Sequence, residues 1–327
     1  MKAIVHSRYG PPRDVLAPED VDEPTPGDGE VLVRVRGASV NPADWHIARG
    51  DPYIARLSFG LRGPKARVPG CDLAGQVEAV GQGVTALGPG VEVFGSPFMR
   101  GFGAFAELAS IPADVLARRP AGLSFEQAAA LPVAGLTALQ GLRDHGRVTA
   151  GHRVLIVGAS GGVGTFAVQI AKSMGAEVTG VCSTRNVELV RSLGADRVVD
   201  YTREDFAESG QRYDFAFQLA GTLSPARFRR VLAPKGTLVV STGESSGRVI
   251  GPVARSIHAA VLSPFVGQRL ASFTVSPNTG DLDRLRELID AGHVAPVIDR
   301  RHPLAEVPEA IAYLEQGHAR GKVVVGV

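Results

Sequence analysis

A chain of 327 residues is long enough for about two domains, each able to bury a core of its own. Hydrophobic residues make up 44% of the chain and charged residues 21%, and this balance excludes an intrinsically disordered protein. The net charge is only +2, and the basic residues form no run that follows a phosphate backbone, so we expect no nucleic acid partner.

The cysteine content and the hydropathy pattern bear on the compartment. Cys71 and Cys182 are the two cysteines, too few for a disulfide framework, so we expect a reducing, cytoplasmic environment. The first residues contain one lysine and few apolar side chains, and no run of about 18 apolar residues occurs. We therefore expect neither secretion nor a membrane span, and no membrane partner.

Residues 1 to about 120 have the pattern of an all-β region, a compact barrel or sandwich. Apolar or alternating runs predict strands at Lys2–His6, Val31–Arg36 and Gly75–Gly81. Prolines and glycines between residues 24 and 29 mark a turn after the first strand.

From about residue 121, strands alternate with helices, which is typical of parallel βαβ units. Ser124 and Gln127 have the spacing of a capping box that begins a helix. Another helix is predicted at Phe166–Lys172. Apolar runs predict five strands of a doubly wound parallel sheet, at Arg153–Val157, Glu177–Val181, Arg197–Val199, Asp214–Leu219 and Thr237–Ser241.

After about residue 255 the pattern is less regular. Leu270–Val275 alternates like a strand, Asp281–Ala291 and Glu306–Glu315 have helical spacing, and Lys322–Val327 reads as a final strand.

A glycine-rich segment, residues 158–164, lies between a predicted strand and a predicted helix. Glycines let the chain turn sharply, and backbone N–H groups at the start of a helix favour a pyrophosphate. Ala159 replaces the first glycine of a G-x-G-x-x-G motif, and the other two glycines stay in register. A purely structural turn is the alternative to a dinucleotide site. The predicted cofactor contacts are Ser160, Gly161, Gly162, Val163 and Gly164.

The segment after Glu177–Val181, the second predicted strand of the parallel sheet, indicates which nicotinamide cofactor binds. NAD sites usually place an acidic residue there to bind the ribose 2′-hydroxyl. This chain has Ser183, Thr184 and Arg185, which suit a 2′-phosphate because two hydroxyls and a guanidinium donate hydrogen bonds to it. We therefore predict NADPH; a solvated polar turn is the alternative.

Several further segments, together with the glycine loop, resemble a known family. They are Ser39–Asp44, Pro69–Gly75, Ala130–Ala138, Leu193–Asp196 with Asp200 and Tyr201, and Gly321–Val324. With them the chain resembles the zinc-free quinone oxidoreductase branch of the medium-chain dehydrogenase/reductase family.

The resemblance implies a GroES-like β-barrel catalytic domain at residues 1–122, a Rossmann NADPH-binding domain at 123–255 and a return segment at 256–327. It also implies a cofactor in the cleft between the domains, and a homodimer. Asn41 and Asp44 are expected near the nicotinamide, Tyr201 near the adenosine ribose phosphate and Thr137 under the cofactor. Leu219, Thr242 and Lys322 complete the predicted cofactor contacts. Relatives often have lysine where this chain has Asn186, so Arg185 must supply the cationic contact.

The same resemblance bears on a metal. Zinc-dependent relatives hold their catalytic ion with Cys, His and Cys, and the corresponding positions are Asn41, Cys71 and Val133. Valine does not ligate, an amide is a poor zinc ligand, and one thiol does not hold the ion. We therefore expect no metal, and we expect Cys71 to be inert.

Without a metal to polarise a carbonyl, hydride delivery suits an acceptor that is already electrophilic, such as a quinone or an enone. His46 and Tyr53 are candidate proton donors because they follow Asn41 and Asp44 closely, although each also has a packing or surface interpretation. Pro264 and Phe265 are expected to close the far side of the pocket. We predict an NADPH-dependent quinone or enone reductase. A non-catalytic NADPH-binding protein and a zinc-independent carbonyl reductase or alcohol dehydrogenase are the alternatives.

Overall fold

The computed structural model describes residues 1–241, 253–263 and 266–327. The chain divides into two compact units: unit 1 comprises Met1–Leu136, Ser276–Gly292 and Pro296–Val327, and unit 2 comprises Thr137–Val275 and His293–Ala295. The predictions for Thr242, Pro264 and Phe265 lie outside the described residues. Across the described ranges, no helix has the length and apolar character needed to cross a membrane.

The strands and helices of the described ranges follow in chain order. The strands are β1 (Lys2–His6), β2 (Leu16–Asp20), β3 (Glu30–Val40), β4 (Asp72–Val80), β5 (Glu92–Gly95), β6 (Leu108–Pro112), β7 (Leu116–Arg118), β8 (Arg153–Val157), β9 (Glu177–Cys182), β10 (Arg197–Asp200), β11 (Tyr213–Gln218), β12 (Leu232–Val240), β13 (Arg269–Ser272), β14 (Ile298–Pro303) and β15 (Lys322–Gly326). The α-helices are α1 (Pro12–Val15), α2 (Pro42–Arg49), α3 (Arg56–Phe59), α4 (Phe125–Ala129), α5 (Pro132–Gln140), α6 (Gly162–Ser173), α7 (Val187–Ser192), α8 (Pro225–Phe228), α9 (Val253–Leu262), α10 (Thr279–Asp290) and α11 (Val307–Glu315). Every strand predicted from the sequence corresponds to one of these strands.

Unit 1 is built on a seven-stranded sheet in the order β14-β15-β3-β4-β5-β7, with β6 also paired to β3. All its pairings are antiparallel except that of β14 with β15. Val31, Val33 and Val35 alternate along β3 and are buried in the core of the unit, as the sequence pattern predicts.

Three strand ends meet in this sheet and position the residues that follow or begin them. Ser39, near the end of β3, is opposite Asp72 at the start of β4, and Val40 is opposite Val323 on β15. Asn41 follows β3 directly, and Lys322 is the first residue of β15. Residues far apart in the sequence are therefore brought together at one edge of the unit.

Unit 2 is a six-stranded parallel sheet in the order β10-β9-β8-β11-β12-β13. The chain enters at β8 in the middle, adds β9 and β10 on one side, and then adds β11 to β13 on the other. This is the doubly wound order, and its switch point lies between β8 and β11. Gly158 follows β8 and Leu219 follows β11, so both lie at the carboxyl edge where ligands bind in such sheets.

The boundaries of the two units differ from the predicted domain boundaries. Ser124 and Gln127 form the predicted capping box, with bonds of 2.9 and 3.2 Å, but the backbone of α4 packs against Gly37 on β3 of unit 1. Conversely, β13 lies after residue 255 and pairs with β12 in unit 2. A change of sequence periodicity shows where element types change, and it does not show which sheet an element packs on.

Candidate functional site

Helix α2 begins at Asn41, which the sequence analysis placed near the nicotinamide. Pro42 occupies the first helical position, where its missing N–H and fixed φ suit a helix start. The Asn41 N–H donates to Oδ2 of Asp44 at 2.7 Å, which is the arrangement of a capping-box carboxylate. Both residues are buried at 2% exposure, so the helix start faces the interior of unit 1.

Asp72, on the neighbouring strand β4, is a second buried carboxylate beside Asn41. Its Oδ2 accepts from Nδ2 of Asn41 at 2.8 Å and from the Ser39 hydroxyl at 3.0 Å. Its Oδ1 accepts from the Val133 N–H at 3.0 Å. Lys322 completes the group, with its ammonium 2.6 Å from Oδ1 of Asn41 and 3.5 Å from Oδ2 of Asp72. We call Ser39, Asn41, Asp44, Cys71, Asp72 and Lys322 the buried polar cluster.

Burial controls the protonation states in this cluster. Loss of solvation raises the pKa of Asp44 to about 7, although the N–H of Asn41 and the thiol of Cys71 both donate to its carboxylate. Burial also raises the pKa of the Cys71 thiol well above its ordinary value, and the two nearby carboxylates add to that effect. Asp44 is therefore able to hold or release a proton near neutral pH, while Cys71 stays a neutral thiol.

His46 and Tyr53, the predicted proton donors, lie elsewhere in unit 1. His46 follows Asp44 by two residues, which is about 200° around a helix, so the two side chains point to nearly opposite sides of α2. Nδ1 of His46 is 2.6 Å from the Asp51 carbonyl oxygen, which only accepts, so Nδ1 carries the hydrogen. Tyr53 is 47% exposed and its ring lies 4.5 Å from the Arg56 guanidinium. A proton-donating role for either residue stays a prediction.

The glycine loop of unit 2 has the predicted strand, turn and helix context. Gly158 has a φ of +89°, which favours glycine, and a Cβ on Gly164 would lie 2.1 Å from the Gly158 carbonyl oxygen. Gly161 is the N-cap of α6, with Gly162 and Val163 in the first turn. The backbone of the loop is therefore tightly packed. The twelve-residue helix α6 begins directly after it, so the N–H groups of the first turn of that helix lie beside the loop.

Asn186 connects this loop to the end of β9. Its Nδ2 donates to the hydroxyl of Ser160 at 2.9 Å and to that of Ser183 at 3.3 Å. Its Oδ1 is buried and has no hydrogen-bond partner among the described residues. An amide oxygen only accepts, so this position fits a ligand hydroxyl such as that of a ribose.

The predicted 2′-phosphate contacts have an acidic neighbour. Thr184 donates its hydroxyl hydrogen to Asp200 at 2.5 Å, so that hydrogen is not available to a phosphate in this arrangement. The bond from Thr184 lowers the pKa of Asp200, which is ionised at neutral pH. Arg185 is exposed and Ser183 is half-buried, and contact of either with a phosphate stays a prediction. Asp200 was not predicted in this role because it lies on the next strand, opposite Cys182 at the end of β9.

The other predicted cofactor residues fall at different depths. Thr137 is buried within α5, and Tyr201, directly after β10, is 61% exposed. The Leu219 N–H donates to the Val157 carbonyl at 3.0 Å, which fixes the chain just beyond the switch point. Lys322, by contrast, lies in unit 1 and directs its ammonium into the buried polar cluster. Direct contact of these residues with a cofactor stays a prediction.

These residues fit a dinucleotide and do not fit a metal ion. The loop, the helix start and the orphaned oxygen of Asn186 suit a phosphate and a ribose. At the three positions of a zinc site, Asn41 faces an ammonium, Cys71 stays protonated, and Val133 offers a backbone N–H. Among the described residues, no group of three or more His, Cys, Asp or Glu side chains is arranged to hold a metal.

Comparison with known proteins agrees with this arrangement. Residues 27–121 match the alcohol dehydrogenase GroES-like domain, and residues 193–325 match the zinc-binding dehydrogenase family model. A chloroplast envelope quinone oxidoreductase homolog from Arabidopsis thaliana is 34% identical over 99% of this chain and 98% of its own length. The chain belongs to the medium-chain dehydrogenase/reductase family.

Other members of the family extend this result. An NADPH-dependent alkenal/one oxidoreductase from Arabidopsis thaliana chloroplasts is 35% identical over 99% of this chain and 79% of its own length. The solved structure of a quinone oxidoreductase from Coxiella burnetii matches with a TM-score of 0.87 at 31% identity, covering 100% of this chain and 99% of that one. The predicted family, its combination of GroES-like and Rossmann folds, and its class as an NAD(P)H-dependent oxidoreductase are confirmed.

Proposed function

We propose that this family member is an NADPH-dependent reductase of quinones or α,β-unsaturated carbonyl compounds that works without a metal. The buried polar cluster is the basis of this proposal, because the three positions that correspond to a family zinc site hold the Asn41 amide, the protonated Cys71 thiol and Val133, which supplies only a backbone N–H. With no Lewis acid to activate a simple carbonyl, the acceptor must stabilise the developing charge through its own conjugation. The names of two relatives, a quinone oxidoreductase homolog and an alkenal/one oxidoreductase, agree with such acceptors.

Unit 2 supplies the residues that bind the cofactor. The glycine loop and the start of α6 would hold the pyrophosphate, and Asn186 would accept from a ribose hydroxyl. Ser183 and Arg185 would bind a 2′-phosphate, and this pair is the basis for proposing NADPH over NADH. When bound, the reduced nicotinamide supplies the hydride.

Unit 1 supplies the residues proposed to act near the reacting atoms. Asn41 holds its amide in a fixed orientation between Asp72 and Lys322, and its Nδ2 has a second hydrogen whose partner, the Ser39 carbonyl oxygen, is distant at 3.5 Å. Asp44 exchanges a proton near neutral pH at the start of the same helix. His46, Tyr53 or water is proposed to supply the proton that reaches the reduced acceptor.

The reaction is tested by following NADPH oxidation with a benzoquinone, a short-chain enone and a saturated ketone. We expect turnover with the first two, and Asn41→Ala should lower turnover by about 100- to 1,000-fold if its amide contacts the developing anion. His46→Ala and Tyr53→Phe identify which donor is used. Reduction of saturated ketones alone would favour a carbonyl reductase, and NADPH binding without any turnover would favour a non-catalytic protein.

The absence of a metal is tested by measuring the zinc content and the activity in chelator. We propose that the purified protein contains no stoichiometric zinc and keeps its activity in chelator. About one zinc per chain, with activity lost on its removal, would contradict this.

A homodimer and a cytoplasmic location stay predictions, and several relatives are named as chloroplastic or mitochondrial proteins.

A further inference from the structure

Asp72 is the centre of the buried polar cluster, and it needs a counter-charge. Its side chain is fully buried, so the hydrogen bonds from Ser39, Asn41 and Val133 replace water around the carboxylate. All three donors are neutral. A buried carboxylate that lacks a cation nearby is strongly destabilising, and the ammonium of Lys322 is the cation within 3.5 Å of it.

Lys322 is bound as completely as Asp72. An ammonium has three hydrogens to donate, and three oxygens surround this one: Oδ1 of Asn41 at 2.6 Å, the Val40 carbonyl at 3.1 Å and Oδ2 of Asp72 at 3.5 Å. Its side chain is 3% exposed. Each hydrogen of the Lys322 ammonium therefore has an oxygen of the protein to bond to in this arrangement.

The two charges together determine how the Asn41 amide is oriented. An ammonium only donates and a carboxylate only accepts, so the amide oxygen must face Lys322 and the amide NH₂ must face Asp72. The opposite orientation would place hydrogen against hydrogen and oxygen against oxygen, with both bonds lost. The side chain of Asn41 is consequently fixed from both ends, before any ligand binds.

We propose that Lys322 and Asp72 are a positioning pair, in which the Lys322 ammonium is a built-in cation in place of a metal ion and holds the Asn41 amide in its working orientation. Two of the three positions that carry zinc ligands in metal-dependent relatives, Asn41 and Val133, here contact this pair directly. The proposal goes beyond the function proposed above because it does not depend on which acceptor is reduced.

The test compares four proteins: wild type, Lys322→Met, Asp72→Asn and the double variant. Each single variant leaves one buried charge unpaired and should lower the thermal midpoint, and the double variant should recover most of that loss. Turnover should not recover with stability, because the double variant still lacks the donor to Oδ1 of Asn41. We expect kcat to fall by about 100-fold in Lys322→Met and in the double variant, while the NADPH dissociation constant changes by less than about twofold. The matched control is the double variant Lys2→Met with Asp20→Asn, which removes an exposed ion pair at the surface of unit 1. It should leave the thermal midpoint and kcat unchanged.

If the pair were purely structural, turnover in the double variant would recover together with stability. Recovery of stability without recovery of turnover therefore supports a positioning role. The proposal is overturned if the double variant loses as much stability as the two single variants together, or if Lys322→Met or the double variant turns over at the wild-type rate. Where a single variant fails to fold, the double variant should still fold and bind NADPH with low turnover; failure of the double variant to fold also overturns the pairing. Stability and NADPH affinity are measured without an acceptor, and kcat is measured with whichever acceptor the wild type reduces, so a wrong acceptor class leaves the comparison of the variants intact.

Discussion

Asp44 combines full burial with a pKa of about 7, against an ordinary value of 3.8. Between these values the folded protein binds a proton that the unfolded chain does not bind. The contribution of Asp44 to stability is therefore complete below the lower value and is lost as the pH rises toward the higher one. The loss amounts to as much as about 1.4 kcal/mol per pH unit in that window, and it levels off above it.

We predict that Asp44→Asn removes this pH dependence. The new amide has no proton to lose, and its oxygen is still able to accept from the Asn41 N–H. Urea unfolding of both proteins from about pH 5 to about pH 8 should show the wild type losing stability relative to the variant up to about pH 7. Asp20→Asn is the control, because Asp20 is an exposed partner of Lys2. A constant difference between wild type and Asp44→Asn would show that the carboxyl ionises at its ordinary pKa.

At the scale of one element, the start of α6 shows which glycines the fold requires. A Cβ on Gly164 would lie 2.1 Å from the Gly158 carbonyl oxygen and 2.8 Å from the Ala159 backbone, and neither atom belongs to a flexible side chain. A Cβ on Gly161 would lie 3.5 Å from the same carbonyl oxygen, at an ordinary distance. The sequence motif treats the two glycines alike, and only their packing shows that Gly164 has no room for a side chain while Gly161 has.

We predict that Gly164→Ala moves the loop away from the helix and Gly161→Ala does not. Overpacking of this kind typically costs about 1–3 kcal/mol, whereas replacing an N-cap glycine by alanine costs about 1 kcal/mol or less. Chemical denaturation measures both changes, and a fluorescence titration should show weaker NADPH binding in Gly164→Ala. Equal unfolding free energies for the two variants would mean that the loop adjusts without strain.

Helix α2 could have been predicted from the sequence, whereas the contacts of the buried polar cluster could not. Asn41, Pro42 and Asp44 have the spacing of a helix start, so α2 was within reach of sequence reasoning, although it was not predicted. The bond between Asn41 and Lys322 joins residues 281 positions apart, and no local pattern indicates such a contact. The resemblance led to Asn41 and Lys322 separately, and Asp72 appeared only within the matching segment Pro69–Gly75.

For the whole chain, the pattern of strands and helices predicted an all-β region followed by a doubly wound parallel sheet, and the two compact units divide the chain at other residues than the predicted domains do. The five predicted parallel strands are confirmed, and they pair with one another in a single parallel sheet. Helix α4 and strand β13 lie across the predicted boundaries because their partners, β3 and β12, are chosen by packing over long distances. Periodicity carries no information about those partners.

Cofactor binding should stabilise unit 2 against unfolding. A ligand at about 100 times its dissociation constant adds about 2.7 kcal/mol to the unit that binds it. For a unit of this size, that raises the unfolding midpoint by roughly 5–10 °C. We expect NADPH to raise, in scanning calorimetry, the same transition that Gly164→Ala lowers, since both act on unit 2.

NADH at the same concentration should raise that transition less, because Arg185 and Ser183 gain no 2′-phosphate to bind. One charge-assisted hydrogen bond of about 1.5–3 kcal/mol corresponds to roughly 10- to 100-fold in affinity. In Arg185→Gln the shift with NADPH should therefore fall toward the shift with NADH. Equal shifts for the two cofactors in the wild type would mean that Asp200, ionised beside Thr184, cancels the preference that Arg185 supplies.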